Sequence, residues 1–114
     1  MPPRHTEKTS TGLEANLAAA LSYLLGFVSG IIFLVIEKEN RFVRFHALQS
    51  VLAFGGITLL WVLLNAVPLL GFVFGVLVII PASAILWLVL MFKAYQGEDF
   101  RLPIVGPIAA ERAG

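Results

Sequence analysis

Three long apolar stretches, separated by polar connections, organise this chain of 114 residues. Residues 17–36 and 73–92 carry no charge, and a further apolar stretch follows the charged residues 37–46. Twenty helical residues rise about 30 Å, which matches the hydrocarbon core of a bilayer. The pattern predicts an all-α integral membrane protein with three transmembrane helices, at about residues 13–36, 41–67 and 71–95.

Polar residues and proline mark the ends of these helices. Residues 1–12 form a polar tail, and Thr11 with Glu14 fits a capping box that starts the first helix. Asn40 is a candidate cap for the second helix. Pro68 favours a tight uncharged turn before the third helix, in which Pro81 predicts a kink. Residues 96–114 contain two prolines, so we expect an interfacial tail that lies on the membrane surface or packs back on the helix ends.

Small residues recur every four positions in two of the predicted helices. Close approach of backbones over small residues drives much of the helix association in lipid. The pattern therefore predicts helix-packing interfaces, within the chain or between chains, although glycine and alanine are also simply common in membrane helices. The residues concerned are Ala18, Ser22, Gly26 and Gly30 in the first helix, and Gly71 and Gly75 in the third.

A charged stretch opens the second helix. Arg41 and Arg44 share one face, and His46 shares a face with Gln49. Residues of this kind lie well at the headgroup level, so these four are candidate contacts to anionic lipid headgroups or to an interface. A proton relay or a metal ligand is the alternative for His46, but only Glu37 and Glu39 lie near it in sequence, and a metal site needs three or four ligands.

Composition excludes several classes of function. Hydrophobic residues make up 59 % of the chain, charged residues 13 %, and the net charge is +1, which gives no basic face for nucleic acid. The chain has no cysteine, and we find no nucleophile with a base, no ligand cluster and no phosphate-binding glycine loop. We therefore expect no enzyme activity and no cofactor. The expected partners are the bilayer and other membrane subunits or further copies of the chain.

The basic residues predict an orientation in the plasma membrane. With three spans, the first connection and the C-terminal part share a side and hold six Lys and Arg residues, against two in the N-terminal tail. The positive-inside rule then places the first connection and the C-terminus in the cytoplasm and the N-terminus outside.

Two stretches carry a resemblance to a known group. Residues 11–50, ending in Arg44-Phe45-His46-Ala47-Leu48-Gln49-Ser50, and residues 91–109 resemble small prokaryotic membrane proteins grouped as a domain of unknown function. That group is distantly similar to the channel subunit of the chloroplast inner-envelope protein import machinery. The resemblance implies a membrane protein, with no catalytic residue, cofactor or substrate.

Two functions follow as expectations. The first is a structural or interaction subunit that oligomerises or joins a larger membrane complex through its small residues. The second, which the import machinery suggests, is a channel or translocation component. Its path would be lined in several copies by Gln49, Thr58 and Asn65, because the spans themselves hold no charge.

Overall fold

The computed structural model describes residues 9–98 and 100–113, and in these ranges the chain is helical with no strand. Six α-helices and one π-helical turn follow one another, and two of the helices join the turn to make one long helix. They are α1 (Ala15–Leu21), α2 (Phe27–Ile36), α3 (Arg41–Leu64), α4 (Pro68–Phe74), the π-helical turn (Gly75–Ile79), α5 (Ile80–Tyr95) and α6 (Val105–Arg112). The all-helical prediction is therefore confirmed.

Two helices are long and apolar enough to cross a membrane. They are α3, with 24 residues, and the continuous helix Pro68–Tyr95, with 28 residues. At 1.5 Å per residue they measure about 36 and 42 Å. α3 begins where the sequence predicts, because the Asn40 side chain accepts a hydrogen bond from the backbone N–H of Val43 at 3.0 Å. It ends at Leu64, three residues before the predicted end.

The first apolar stretch is not one helix, which corrects the prediction for residues 13–36. α1 has 7 residues and α2 has 10, and α2 is too short at about 15 Å to cross the hydrocarbon core. Gly26 separates them with φ at 62°, a conformation that L side chains rarely adopt. The capping box is also wrong, since Thr11 accepts from the N–H of Leu13 and α1 begins only at Ala15.

The start of α1 and the end of α2 lie at the same end of the molecule. The backbone N–H of Ser10 donates to both carboxylate oxygens of Glu37, at 3.0 and 2.9 Å, and the Ser10 hydroxyl accepts from the N–H of Lys38. At the far end of the pair, Ser50 donates to the carbonyl of Gly26 at 2.8 Å. Ser50 lies about 14 Å along α3 from its start. Ser10 therefore lies beside the first connection, contrary to the prediction that the N-terminal tail and this connection occupy opposite sides, and residues 1–8 of that tail lie outside the described residues.

α2 packs on α3 at very close range. A Cβ built on Gly30 would lie 2.7 Å from the carbonyl oxygen of Ala47 and 2.9 Å from a methyl group of Val51. Only glycine fits at this crossing. On another side of α3, α1 lies against α3 and α5, where Ala15, Ala18 and Ala19 are fully buried with Leu90 and Ala94.

The long helix Pro68–Tyr95 begins at its proline and widens in the middle. Pro68 occupies the first turn of α4, where its missing N–H costs nothing. Pro81 lacks the donor that would bond back into the preceding turn, and the helix takes a π-helical turn over Gly75–Ile79 at this point. The predicted disturbance at Pro81 is thus a wider turn within a continuous helix.

The C-terminal part folds back onto the beginning of α3. α6 packs there through a small cluster in which Phe45 meets Ala109, Ala110 and Ala113. The expected tail is thus partly a helix, and it lies at the same end as the first connection.

The result is a molecule with two different halves. The packed half comprises residues 9–55, 86–98 and 100–113, with the whole of α1, α2 and α6, and it holds nearly all of the buried side chains. The bare half comprises residues 56–85, where only α3 and the long helix Pro68–Tyr95, which we call the returning helix, are present. Large apolar side chains are exposed along its whole length, including Leu59, Leu63, Leu69 and Leu77.

Candidate functional site

Three buried polar side chains meet at the centre of the packed half, and we call them the polar junction: Tyr23, His46 and Gln49. Tyr23 follows α1, whereas His46 and Gln49 lie one turn apart on the same face of α3. None of the three is exposed to solvent. A buried polar group is costly unless it is hydrogen-bonded, so the partners of each atom decide what the junction does.

The hydrogen bonds of the junction run in one direction. The Tyr23 hydroxyl lies 2.7 Å from Nδ1 of His46 and accepts from Nε2 of Gln49 at 2.9 Å. Nε2 of His46 lies 3.0 Å from the carbonyl oxygen of Glu98, which can only accept. His46 therefore donates from Nε2, and as a neutral ring it accepts from Tyr23 at Nδ1. Phe42 and Phe45 enclose the ring edge-on, at centroid distances of 4.7 and 4.9 Å.

The junction holds the chain that leaves α5. Gln49 donates to the carbonyl of Phe100 at 2.9 Å and accepts from the N–H of Leu102 at 3.0 Å, while His46 binds the carbonyl of Glu98. Both sides of the Gln49 amide are thus used. Because irregular backbone is costly when it is buried without partners, these bonds let residues 98 and 100–102 lie against the helices.

Side chains also form hydrogen bonds with the backbone groups at the break between α1 and α2. Trp87 of α5 donates to the carbonyl of Tyr23 at 2.7 Å, and Ser50 of α3 donates to that of Gly26. The Ser29 hydroxyl donates to the carbonyl of Ser22 and accepts from the N–H of Leu25, both at 2.9 Å. Non-helical backbone at membrane depth is tolerated where protein groups surround it in this way.

Arginines at the start of α3 hold the ends of two other helices. Arg44 donates to the carbonyls of Leu34 and Glu37 at the end of α2, at 3.1 and 2.6 Å, and to that of Ala113 after α6 at 2.9 Å. Arg41 donates to the carbonyl of Ala110 in α6. A cation suits a helix C-terminus because the last carbonyls lack partners in the helix and carry partial negative charge.

Glu37 holds the first connection in place through hydrogen bonds to its backbone. Its buried carboxylate accepts from the backbone N–H groups of Ser10, Glu39 and Asn40. Burial favours the neutral acid, but the hydrogen bonds favour the carboxylate more, and the pKa of Glu37 lies below its ordinary value.

The motif Arg44-Phe45-His46-Ala47-Leu48-Gln49-Ser50 therefore works as a clamp on backbone. Its four polar side chains bind the end of α2, the break before α2, the segment after α5 and the end of α6. Among the described residues no three His, Asp or Glu side chains lie together as metal ligands, and a proton relay through His46 stays a prediction.

The four predicted headgroup contacts separate into two pairs. Arg41 is exposed and Arg44 is half-buried, and both lie at the charged end. His46 and Gln49 are fully buried in the polar junction, so their assignment to the headgroup level is wrong. They share a face, as predicted, but that face looks into the protein.

The predicted packing residues all lie at contacts inside this chain. Ala18 and Ser22 are buried in α1 and after it, and Gly26 and Gly30 lie against α3. Added side-chain atoms on Gly71 would meet the backbone at Leu64 and Asn65, and on Gly75 they would meet the ring of Trp61. Because the predicted first helix is broken at Gly26, its four small residues (Ala18, Ser22, Gly26 and Gly30) do not form a single stripe.

The three residues proposed to line a path have hydrogen-bond partners within the chain. Gln49 is buried in the junction, Thr58 donates to the carbonyl of Phe54 in its own helix at 2.8 Å, and Asn65 donates to that of Trp61 at 2.8 Å.

Sequence reasoning missed Tyr23, Trp87 and Glu37. Tyr23 and Trp87 stand in apolar stretches where an aromatic residue needs no special role, and only the pairing of helices shows that their polar atoms bind backbone or His46. Glu37 was noted only as a neighbour of His46. A carboxylate three residues before the Asn40 cap was the available signal for its role.

Comparison with known proteins shows the family of this chain. A model of the magnetosome magnetite crystal formation protein family matches residues 7–109. The chain belongs to this family. A UPF0132 membrane protein of Methanocaldococcus jannaschii is 48 % identical over 104 residues, which cover 91 % of this chain and 93 % of that protein. One from Archaeoglobus fulgidus is 46 % identical over 102 residues, covering 90 % and 98 %. No solved structure matches.

The membership agrees with the expected group of small prokaryotic membrane proteins of unknown function. The relatives are named as membrane proteins, and together with the apolar helices they support a membrane location. Similarity to the chloroplast import subunit stays a prediction.

Proposed function

We propose that this chain is a structural subunit of a membrane assembly and that it self-associates through the bare half. The observation that carries the proposal is the use of its polar side chains. Those of the polar junction, with Ser50, bind the chain's own backbone or one another, and a side chain whose donors and acceptors are used in this way is not available for a substrate. These side chains therefore stabilise the fold, and on the same ground we propose that the chain is not an enzyme.

The topology that we propose has two spans and a re-entrant pair. α3 and Pro68–Tyr95 cross the membrane, whereas α1 and α2 enter from the charged end, reach about half its depth and return. Six Lys and Arg residues among the described ones then share one side, and the connection at residues 65–67 has none. The positive-inside rule places the charged end in the cytoplasm. The six are Lys38, Arg41, Arg44, Lys93, Arg101 and Arg112.

A second copy is the partner that suits the bare half. Below the break at Gly26 a cleft of about 320 Å³ opens between α3 and α5, where Thr58 and Ser83 place hydroxyl groups among apolar side chains. Gly56 also leaves its backbone open, since a Cβ there would meet nothing within 4 Å. Hydroxyl groups and open backbone favour a helix over acyl chains, because helices gain hydrogen bonds and close packing from them.

Single cysteines test this proposal cleanly, because the chain has none of its own. Leu77→Cys lies in the bare half and Val35→Cys in the packed half, and the native side chains are 70 % and 61 % exposed. Under oxidation in native membranes we expect a disulfide-linked dimer from Leu77→Cys and a monomer from Val35→Cys. Equal cross-linking of the two variants, or none in either, would overturn self-association through the bare half.

The translocation component stays the second candidate from the sequence. The family's description concerns magnetite crystal formation in magnetosomes, and a subunit that organises a membrane is compatible with such an assembly. Nothing in the geometry of Gln49, Thr58 and Asn65 favours a path through several copies, so the structural subunit is the function that we advance.

A further inference from the structure

A pocket of about 470 Å³ lies at the charged end, between the end of α2, the start of α3 and the end of α6. Two segments that are far apart in the sequence contribute to it, residues 34–44 and 112–113. Four of its seven lining residues are cations and one is a carboxylate, which gives a formal charge of +3. The lining consists of Leu34, Lys38, Glu39, Arg41, Arg44, Arg112 and Ala113.

The arginines of this pocket are held in place before any ligand arrives. Arg44 is fixed by three backbone carbonyls and Arg41 by one, as described above. A guanidinium has five N–H donors in a rigid fork, so each of these arginines keeps donors beyond those that hold it. In the described part of the chain, no carboxylate lies at ion-pair distance from the four cations, and the ion pair of Lys93 with Glu98 is elsewhere.

We propose that this pocket binds the phosphate group of an anionic ligand, and that its source is a phospholipid headgroup. Fixed arginines and mobile lysines are the usual partners of phosphate oxygens. The lipid source is favoured because the pocket borders an apolar surface. Leu34 lines it, and Ile31 and Val35 on the neighbouring face of α2 are exposed, so that an acyl chain can lie along α2 below the headgroup.

Lys38 and Arg112 make the sharpest test, because both are exposed and no hydrogen bond of their side chains to the described residues holds the fold. We expect Lys38→Gln and Arg112→Gln each to lower affinity for phosphatidylglycerol about fivefold, and the double change about thirtyfold. Lys93→Gln removes the same charge at the same end but outside the pocket, and we expect it to bind as the wild type does. Native mass spectrometry of the detergent-solubilised full chain gives these affinities.

Two further ligands separate the sources of phosphate. Phosphatidylcholine carries the same anionic phosphate, but its choline group makes the lipid neutral overall. We therefore expect weaker binding of this lipid, and the double variant should hardly change it. Inorganic phosphate at millimolar concentration should displace phosphatidylglycerol only weakly; strong displacement would overturn the lipid source. Equal affinity for both lipids, or an equal loss in Lys93→Gln, would overturn the site itself. The result does not depend on self-association, because cross-linking in the bare half is measured separately.

Discussion

The packed half and the bare half use the same kinds of apolar residue in opposite ways. In the packed half five helical segments bury alanine and aromatic side chains around Tyr23, His46 and Gln49. In the bare half only α3 and the returning helix are present, and their leucine side chains are exposed. The difference teaches that hydrophobicity alone does not fix the fold of this chain. Hydrogen bonds to irregular backbone decide where the packing occurs, because lipid can replace apolar contacts but cannot replace those bonds.

Removing Gln49 should have the largest effect on this comparison. In Gln49→Leu three groups lose a partner, namely the Tyr23 hydroxyl, the carbonyl of Phe100 and the N–H of Leu102. At about 1 kcal/mol for each group we expect a loss of about 3 kcal/mol in the free energy of unfolding. Thr58→Val in the bare half removes one hydroxyl that binds its own helix, and about 0.5 kcal/mol or less should be lost. Denaturant titration in detergent measures both, and equal losses would contradict the contrast.

Two glycines sharpen the comparison through packing. In Gly30→Leu the new side chain meets the carbonyl of Ala47 and the side chain of Val51, and we expect a loss of about 2 kcal/mol. In detergent that keeps the chain monomeric, Gly56→Leu meets open space in the bare half and should be neutral or slightly stabilising, since leucine favours helix. Gly97 is not a neutral control, because its φ is 81°. Thermal unfolding of the two variants gives the result, and a lower midpoint for Gly56→Leu than for Gly30→Leu would contradict the account.

Acid should loosen the first connection with a smaller effect. The pKa of Glu37 lies below its ordinary value, so its carboxylate stabilises the fold fully above the unfolded pKa of about 4.3. That contribution is lost as the pH falls through the lower folded pKa. We expect the difference in unfolding midpoint between wild type and Glu37→Gln to be constant near pH 7 and to shrink below about pH 4. A difference that stays constant down to pH 3 would show that the charge of Glu37 plays no part.

The sequence allowed a good prediction of α3 and the returning helix. Asn40 marks the start of α3 by a local hydrogen bond, and charge marks the ends of the apolar stretches. The break in the first stretch could not be predicted in the same way. Gly26 was explained as a packing residue, although its positive φ is what lets the chain turn there. Twenty uncharged residues fit one span by length, and length carries no information about a turn.

Only half of the candidate site could be predicted from the sequence. The spacing of His46 and Gln49 places them on one face, which is a local property of a helix. Their partners are Tyr23 and the backbone of Glu98, Phe100 and Leu102, and these contacts depend on how distant segments pack. The clamp on four segments of backbone follows from the whole fold, so no local pattern could reveal it.

The central claim is that the first apolar stretch enters and leaves the membrane on the same side. Single cysteines at Ser10, Lys38 and Ala66, which are all exposed, report the side of each segment. The measurement is labelling by a membrane-impermeant thiol reagent, added to sealed vesicles of known orientation before and after they are opened. The account predicts that Ser10→Cys and Lys38→Cys react from one side and Ala66→Cys from the other. Reaction of Ser10→Cys and Lys38→Cys from opposite sides would contradict it.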